Sequence, residues 1–410
     1  MNLCFVTPEY VTEPSGHGGL ANYLGRVTTA LVRMGCRVDV LVPAKKQEIL
    51  QHEGVTVHRI IPIYDPAMRW DRLDGLVPRW AYQPYQELKQ AFCLWRYFRR
   101  LRKRFDLVQV ANVMAVGLFF RLLKDRPVVH RLSNYPPAWD RAAGDRVTLT
   151  TRLRWLLQAM ATRGARFVYA PSHFVARLAQ QGYGLRKVDV IESPFFVETV
   201  DQDTSVLDRE IGIRPFMLFF GSLTAMKGAH VLAAALPEIL RRCPDMHVVL
   251  IGRSGYFAGG QSIDEMIRQG ASAAPDRVHV LPSLNHAQLY PFVERARLVA
   301  LPSLFDNLPN SCLEAMGLGK PVIATTGSCF EQLIRTGESG FLVAPGDAAQ
   351  LADAIARAWT MSDDELARIG QAARERIGQL HPDVCMPRLL QYYRDVRDAF
   401  SASATRKRWV

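Results

Sequence analysis

The sequence contains no run of eighteen apolar residues. Its longest candidate, Val113 to Phe120, is stopped by Arg121 and Lys124, so no transmembrane helix is expected. It also has no Cys-x-x-Cys pair. Seven cysteines (Cys4, Cys36, Cys93, Cys243, Cys312, Cys329 and Cys385) stand singly. That argues against a disulfide or zinc framework and predicts reduced thiols in a cytosolic compartment. His17, His58, His230, His279 and His286 share no ligand spacing, so no metal site is expected. The start, Met1 to Val6, lacks a basic leader and reads as a first β-strand rather than a signal peptide. There is no 20–50-residue repeat and no low-complexity block.

Acidic residues are scarce in the first half. Residues 1–200 hold 29 Lys/Arg against 16 Asp/Glu, a net +13, whereas residues 201–410 hold 22 against 23, a net −1. A one-sided excess predicts that the first half faces something anionic: a membrane surface, a phosphorylated substrate or nucleic acid. The length of 410 residues and an apolar share of 49% favour two domains with ample cores.

The coarse pattern is strand and helix in alternation, twice over. Apolar runs at Leu3–Val6, Val38–Val42, Val55–Ile63, Leu107–Val110, Val128–Leu132, Phe167–Ala170 and Val188–Ile191 predict strands in the first half. In the second half they fall at Met217–Phe220, His247–Ile251, Val278–Leu281, Leu298–Leu301, Pro321–Thr325 and Gly340–Val343. Leu20, Leu24, Val27, Leu31 and Met34 fall on one face of a helix that Gly35 ends. Further helices are expected at His230–Arg242, Leu351–Thr360 and Val384–Phe400, and Asn134–Arg146 reads as a loop. Continuous apolar strands separated by helices mean parallel sheets covered on both faces. The expected fold is α/β: two Rossmann-like domains, 1–200 and 201–383, with the polar segment Val200–Glu210 as linker. Ligands are expected in a cleft at the carboxyl ends of both sheets.

Three motifs carry chemistry. The first is Pro8-Glu9-Tyr10 … Gly16-His17-Gly18-Gly19-Leu20, where adjacent glycines before a helix let the backbone approach a ligand. Read alone, it is a plain loop or a phosphate loop; the spacing is not Gly-x-Gly-x-x-Gly, so a nicotinamide-dinucleotide fingerprint is missing. The second is Gly221-Ser222-Leu223-Thr224-Ala225-Met226-Lys227-Gly228, which presents Lys227 at a helix start, as a diphosphate site would require or as a solvated surface lysine would also do. The third, Pro302 to Ala324, is the most specific. Asp306 and Glu314 sit eight residues apart around a helix opening at about Pro309-Asn310. Such carboxylates can accept from sugar and ribose hydroxyls while the helix N-terminus takes phosphate; a glycosidase pair is the chemical competitor.

With Glu314-Ala315-Met316-x-x-Gly319-x-Pro321-Val322-Ile323-Ala324, the whole chain resembles the retaining GT-B glycosyltransferases of family 4, the nucleotide-sugar-dependent glycosyl transferases group 1. The resemblance implies that the second domain holds the donor nucleotide and the first the acceptor. It implies retention at the anomeric carbon, no metal ion and no cofactor beyond the nucleotide-sugar substrate. It also implies a last helix, about 384–403, that completes the first domain, and a place in surface glycan or glycolipid synthesis. Residue by residue, Glu314 resembles the glutamate that holds the ribose, and Asp306 stands where the family has a glutamate near the donor sugar. Lys227 resembles the lysine that neutralises the diphosphate, Gly18 and Gly19 the backbone that approaches it, and His130 a histidine near the transferred sugar. Asn310 and Ser311 resemble the helix opening that meets phosphates or sugar, and the backbone near Leu284 is a weaker match to the base pocket.

Two departures stand out. Asp306 is one methylene short of the family glutamate, and Ser222 replaces an arginine before the lysine. Losing a bidentate cation from a diphosphate site is not conservative; Arg253 and Arg131 are the candidates to replace it. The alternatives to the transferase are a nucleotide-sugar C2 epimerase-like enzyme and an inactive nucleotide-binding relative. Finally, Trp95 to Arg104 carries six cations and three aromatics in ten residues. With Trp70, Trp80, Tyr82, Tyr85, Arg69, Arg72 and Arg79 upstream, it predicts peripheral contact with an anionic membrane or a lipid-linked acceptor, with a plain basic helix as the equal alternative and nucleic acid disfavoured.

Overall fold

The computed structural model describes residues 1–14, 18–62, 76–101, 105–144, 146–257 and 260–406. His17, Arg69, Trp70, Arg72, Arg102, Lys103 and Arg104 therefore lie outside the described residues.

The chain forms two compact units: residues 1–137, 147–194 and 382–410, and residues 138–146 and 195–381. The first unit opens with β1 (Asn2–Val6), α1 (Gly19–Arg33), β2 (Arg37–Pro43), β3 (Glu48–His52) and β4 (Val55–Ile60). It continues through α2 (Arg79–Leu101), β5 (Leu107–Ala111) and β6 (Val128–Arg131) to α3 (Pro136–Ala142), most of which is assigned to the second unit, and then through α4 (Leu149–Thr162), β7 (Phe167–Ala170), α5 (His173–Tyr183) and β8 (Asp189–Val190). Its sheet has the order β3-β4-β2-β1-β5-β6-β7-β8. All pairs are parallel except β3 with β4.

The second unit contains α6 (Ser205–Glu210), β9 (Phe216–Phe220), α7 (Ala229–Arg242), β10 (His247–Ile251), α8 (Ile263–Gly270), β11 (Val278–Leu281), α9 (His286–Arg295) and β12 (Leu298–Ala300). After these come α10 (Asn310–Gly317), β13 (Val322–Thr325), α11 (Phe330–Leu333), β14 (Phe341–Val343), α12 (Ala348–Trp359) and α13 (Asp363–Gly378). Its six strands are all parallel in the order β11-β10-β9-β12-β13-β14. The last helix, α14 (Pro382–Arg406), belongs to the first unit.

The apolar runs form the strands because parallel strands are buried on both faces; every residue of β9 is buried. Helices start where a side chain can accept from a free N–H: Thr148 and Thr151 form a reciprocal cap on α4, as do Ser362 and Glu365 on α13. In the first unit α14 lays Met386, Leu389, Leu390, Tyr393 and Val396 into the same core as Leu3, Phe5 and Leu24. That core has a polar centre. The Gln109 side-chain carbonyl accepts from the hydroxyls of Tyr169 (2.6 Å) and Tyr393, and Tyr23 lies 2.9 Å from Tyr169. Burial raises the phenols of Tyr169 and Tyr393 well above their ordinary value, so both stay neutral donors.

Three sequence expectations are corrected. The linker segment Val200–Glu210 contains α6, because Thr204 and Asp203 provide the turn and Leu207 is buried. The presumed loop Asn134–Arg146 contains α3, whose tandem prolines suit a first helical turn. A strand was missed at β3, where Ile49 and the other residues are half-exposed or exposed at a sheet edge and no apolar run marks it.

In the second unit α13 is pressed against the turn after α10. A Cβ on Gly370 would stand 1.9 Å from the Gly319 carbonyl oxygen. Gly370→Ala is expected to destabilise by about 1–3 kcal/mol, lowering Tm by several degrees in a thermal melt followed by circular dichroism. An unchanged Tm would mean the two backbones can separate without cost.

Candidate active site

In the second sheet the strand order reverses between β9 and β12, and the carboxyl ends of such strands are where open α/β sheets bind ligands. The turn after β9 carries Ser222 and Lys227, and the turn after β12 carries Asp306. They meet there: Lys227 Nζ lies 2.6 Å from Asp306 Oδ2. Asp306 is almost fully buried; Ser303 Oγ also donates to Oδ2 (3.1 Å) and the Asn307 amide to Oδ1 (3.1 Å). Three donors thus fix the shortened carboxylate in place. Lys227 keeps about a fifth of its surface exposed, so its ammonium can reach a second anion.

The backbone at this place admits only glycine. Gly228 has φ +71°, and a Cβ there would stand 1.9 Å from the Pro302 oxygen. This locks the Lys227 turn onto the β12 loop. Leu308, buried at φ +52°, gives its amide to Cys329 Sγ (3.0 Å) and sets the entry to α10. Pro309 caps α10 without a side-chain acceptor, so the Asn310 and Ser311 amides remain open to a ligand. Cys312, in the first turn of α10, feels both Asp306 and Lys227, although burial is the main cause that raises its thiol.

Glu314 follows on α10 and is buried. His286, the first residue of α9, stacks on Tyr290 with ring centres 4.9 Å apart. It stands between two carboxylates, 3.6 Å from Glu314 Oε1 and 3.5 Å from Glu198 Oε2. Leu284, half-buried, immediately precedes the α9 cap residue Asn285. Ser222 and Arg253 are exposed, and the Arg253 carbonyl accepts from the Leu223 amide (3.0 Å), joining the two turns.

Glu9 lies in the loop after β1, and its Oε1 accepts from the Ala21 amide (3.2 Å) at the start of α1. A Cβ on Gly18 would stand 3.1 Å from that same oxygen, whereas one on Gly19 would meet nothing. The anion position at this helix end is therefore held by the protein's own carboxylate, whose pKa burial raises while the Ala21 bond opposes the shift. His130, on β6, is buried. Burial, with Arg121 adding to it, lowers its imidazole to about 4, so it is neutral near pH 7. Arg131 does not stand free: its guanidinium lies 3.5 Å from the Tyr23 ring centre and donates to Ser133 (2.7 Å) and Ser193 (3.3 Å).

The sequence had pointed to Lys227, Asp306, Asn310, Ser311 and Glu314, and the structure brings the first two into contact beside the open end of α10. It did not reveal Ser303, Glu198 or the place of His286, which was weighed only as a metal ligand. Glu9 stood inside a quoted motif without a role. Among the described residues, no three His, Cys, Asp or Glu side chains gather as metal ligands.

Two α/β units of this kind, each built on a mainly parallel sheet, make up the GT-B fold. The description "Glycosyltransferase Family 4" matches residues 17–195 and "Glycosyl transferases group 1" matches residues 214–361. A D-inositol 3-phosphate glycosyltransferase of Nocardia farcinica is 32% identical over 373 residues, covering 87% of this chain and 80% of that one. Among solved structures, sucrose-phosphate synthase from Thermosynechococcus elongatus superposes with a TM-score of 0.74 at 18% identity, over 97% of this chain and 100% of the other. Anabaena Alr3699/HepE in complex with UDP does so with a TM-score of 0.68 at 20% identity, over 98% and 100%. The chain belongs to glycosyltransferase family 4 and is a glycosyltransferase.

The neutral, buried His130 has a measurable consequence. Its folded-state pKa of about 4 lies below the ordinary 6.5. Between those values the unfolded chain therefore binds the proton more readily, and stability is lost as pH falls. The loss grows from pH 6.5 downward and reaches about 3 kcal/mol near pH 4. The Tm of His130→Asn is expected to fall less between pH 6.5 and 4.5 than that of wild type. Parallel pH dependence in the two proteins would show that His130 takes up its proton in the folded state.

Proposed function

We propose that this glycosyltransferase moves a sugar from a nucleoside diphosphate to an acceptor hydroxyl with retention of anomeric configuration, the second unit holding the donor and the first the acceptor. The observation that carries the donor reading is the Lys227–Asp306 pair at the switch point, beside the uncapped start of α10. As the anomeric C–O bond breaks, its electron pair leaves with the diphosphate. Lys227 and the Asn310 and Ser311 amides stabilise that charge, an electrostatic contribution that is ready before reaction. The acceptor oxygen bonds to the anomeric carbon on the face that the leaving group vacates, and its proton passes to the departing phosphate oxygen. Glu314 accepts from the ribose hydroxyls, and Asp306, fixed by Ser303 and Asn307, faces the donor sugar. His130 and the Gly18–Gly19 backbone are the first unit's contributions, His130 as a neutral imidazole that can donate without adding charge. Ser222 leaves no arginine in the turn, and Arg131 is committed to Tyr23, Ser133 and Ser193. That leaves Lys227 as the turn's principal cation, with Arg253 the exposed neighbour.

The reading includes turnover without a divalent metal, a cytoplasmic setting and an anionic or lipid-linked acceptor in surface glycan or glycolipid synthesis. HepE has been solved with UDP and with UDP-glucose, which makes these the first donors to test. Sugar released without any acceptor product would favour the epimerase class, and nucleotide binding without turnover on a broad acceptor panel would favour an inactive relative.

Lys227→Ala is expected to lower kcat/KM by roughly 10²–10³-fold, the scale of losing one preorganised partner of the leaving charge. Wild-type turnover in that variant would make Lys227 a structural partner of Asp306 alone. For the wild type, activity is expected to be full in excess EDTA, with an axial product from an axial donor by NMR. A strict Mg²⁺ or Mn²⁺ requirement, or an inverted anomer, would overturn the mechanism.

A further inference from the structure

Exposed large apolar side chains gather on one side of the first unit. Trp80, Tyr82, Leu122, Leu149, Leu156 and Met160 are each between 42% and 61% exposed. They share one surface. The helices α2 and α4 pack on each other, and Thr150 Oγ1 donates to the Trp80 carbonyl (2.6 Å) at their adjoining starts. Arg121 donates to the Met160 carbonyl (2.7 Å), which brings the Leu122 corner beside the far end of α4.

Along α4 and its last turn, Leu149, Arg152, Leu156, Met160 and Arg163 follow one another at spacings of three and four, so they line one face. The opposite face buries Gln158, Ala159 and Thr162. A surface helix ordinarily turns charge and polar groups outward; this one turns out apolar side chains interleaved with arginines. The sequences of α2 and α4 contain a single carboxylate, Glu87, which is buried and paired with Arg154 at 2.6 Å. Around the apolar stripe, Arg79, Arg99, Arg100, Arg121, Arg152 and Arg163 are exposed.

We propose that this face, centred on α4, seats the protein on an anionic lipid bilayer. Apolar side chains of this size enter the boundary between headgroups and acyl chains, and Trp and Tyr favour that depth. The arginine stems lie along the apolar surface while their heads reach lipid phosphates. A second copy of this chain fits the face poorly, because pairing would bring arginine against arginine in a protein of net charge +12. The face differs from the run at Trp95 that the sequence singled out. The Trp95 ring packs against Phe92 and Phe119, with Arg99 over it, so that tryptophan is occupied. The proposal stands apart from the donor site, since none of its residues belongs to the second unit.

The test is co-sedimentation with vesicles of phosphatidylcholine, with and without phosphatidylglycerol, at low and high salt. Wild type is expected to sediment with the anionic vesicles at low salt and to be released at high salt. Leu156→Glu with Met160→Glu should abolish binding. Arg152→Gln with Arg163→Gln, all at exposed positions, should weaken it by up to about thirtyfold, two cations' worth of surface attraction. Arg99→Gln with Arg100→Gln should weaken it less than the α4 variants do. Circular dichroism and a nucleotide thermal shift accompany each variant; loss of the nucleotide response with vesicle binding intact would count against the donor reading and not against this face. The proposal is overturned if wild type ignores anionic vesicles at low salt, or if both α4 variants bind like wild type. It is also overturned if light scattering shows a dimer that Leu156→Glu with Met160→Glu dissolves while vesicles are ignored, which would assign the face to a second copy.

Discussion

A parallel strand cannot be joined to its neighbour by a tight turn; the chain must cross back over the sheet first. This constraint governs all the parallel pairs of both sheets. Apart from the antiparallel β3, which a short turn joins to β4, each crossover returns to the start of a parallel strand, so the turns that leave the carboxyl ends of the parallel strands lie on one side of their own sheet. In the second unit, the reversal of order between β9 and β12 parts the two following helices and leaves the space their turns line. Lys227 and Asp306, 79 residues apart in sequence, meet because their strands are adjacent and the glycine at 228 lets the two backbones touch. The open start of α10 follows from the same turn.

The first unit solves a different problem. Its last helix comes from the far end of the chain and must find a unique seat on a core built from early strands. Apolar contact alone would tolerate sliding. The carboxamide of Gln109, placed on the central strand β5, fixes the seat by accepting from Tyr393 on α14 and Tyr169 on β7. A shift of α14 by one residue would take the buried Tyr393 hydroxyl away from its acceptor. The polar centre therefore specifies the position that the apolar contacts stabilise.

Much of this was legible in the sequence. Buried parallel strands are continuous apolar runs, and the strands so marked, from Leu3–Val6 to His247–Ile251, lie where the runs lie. The Asp306–Glu314 stretch was legible because a loop, a helix start and a close-packed strand each demand particular residues in sequence order. What stayed hidden depended on partners far along the chain. The strand β3 is an edge with little apolar content. The ring of Ser303, Lys227 and Asn307 around Asp306 cannot be read from spacing, because Lys227 reaches it only across the sheet. His286 looked idle for the same reason: its partners, Glu198 and Glu314, lie on segments 88 and 28 residues away.

The carboxylate of Glu9 changes what the start of α1 can offer an incoming anion. In an empty helix end, the first guest would gain the whole attraction of the free amides and the helix dipole. Here a tethered resident already occupies the Ala21 amide. A guest would gain only the margin between its own interaction and the resident's. An incoming anion would have to displace this carboxylate from the Ala21 amide before it could use the helix end.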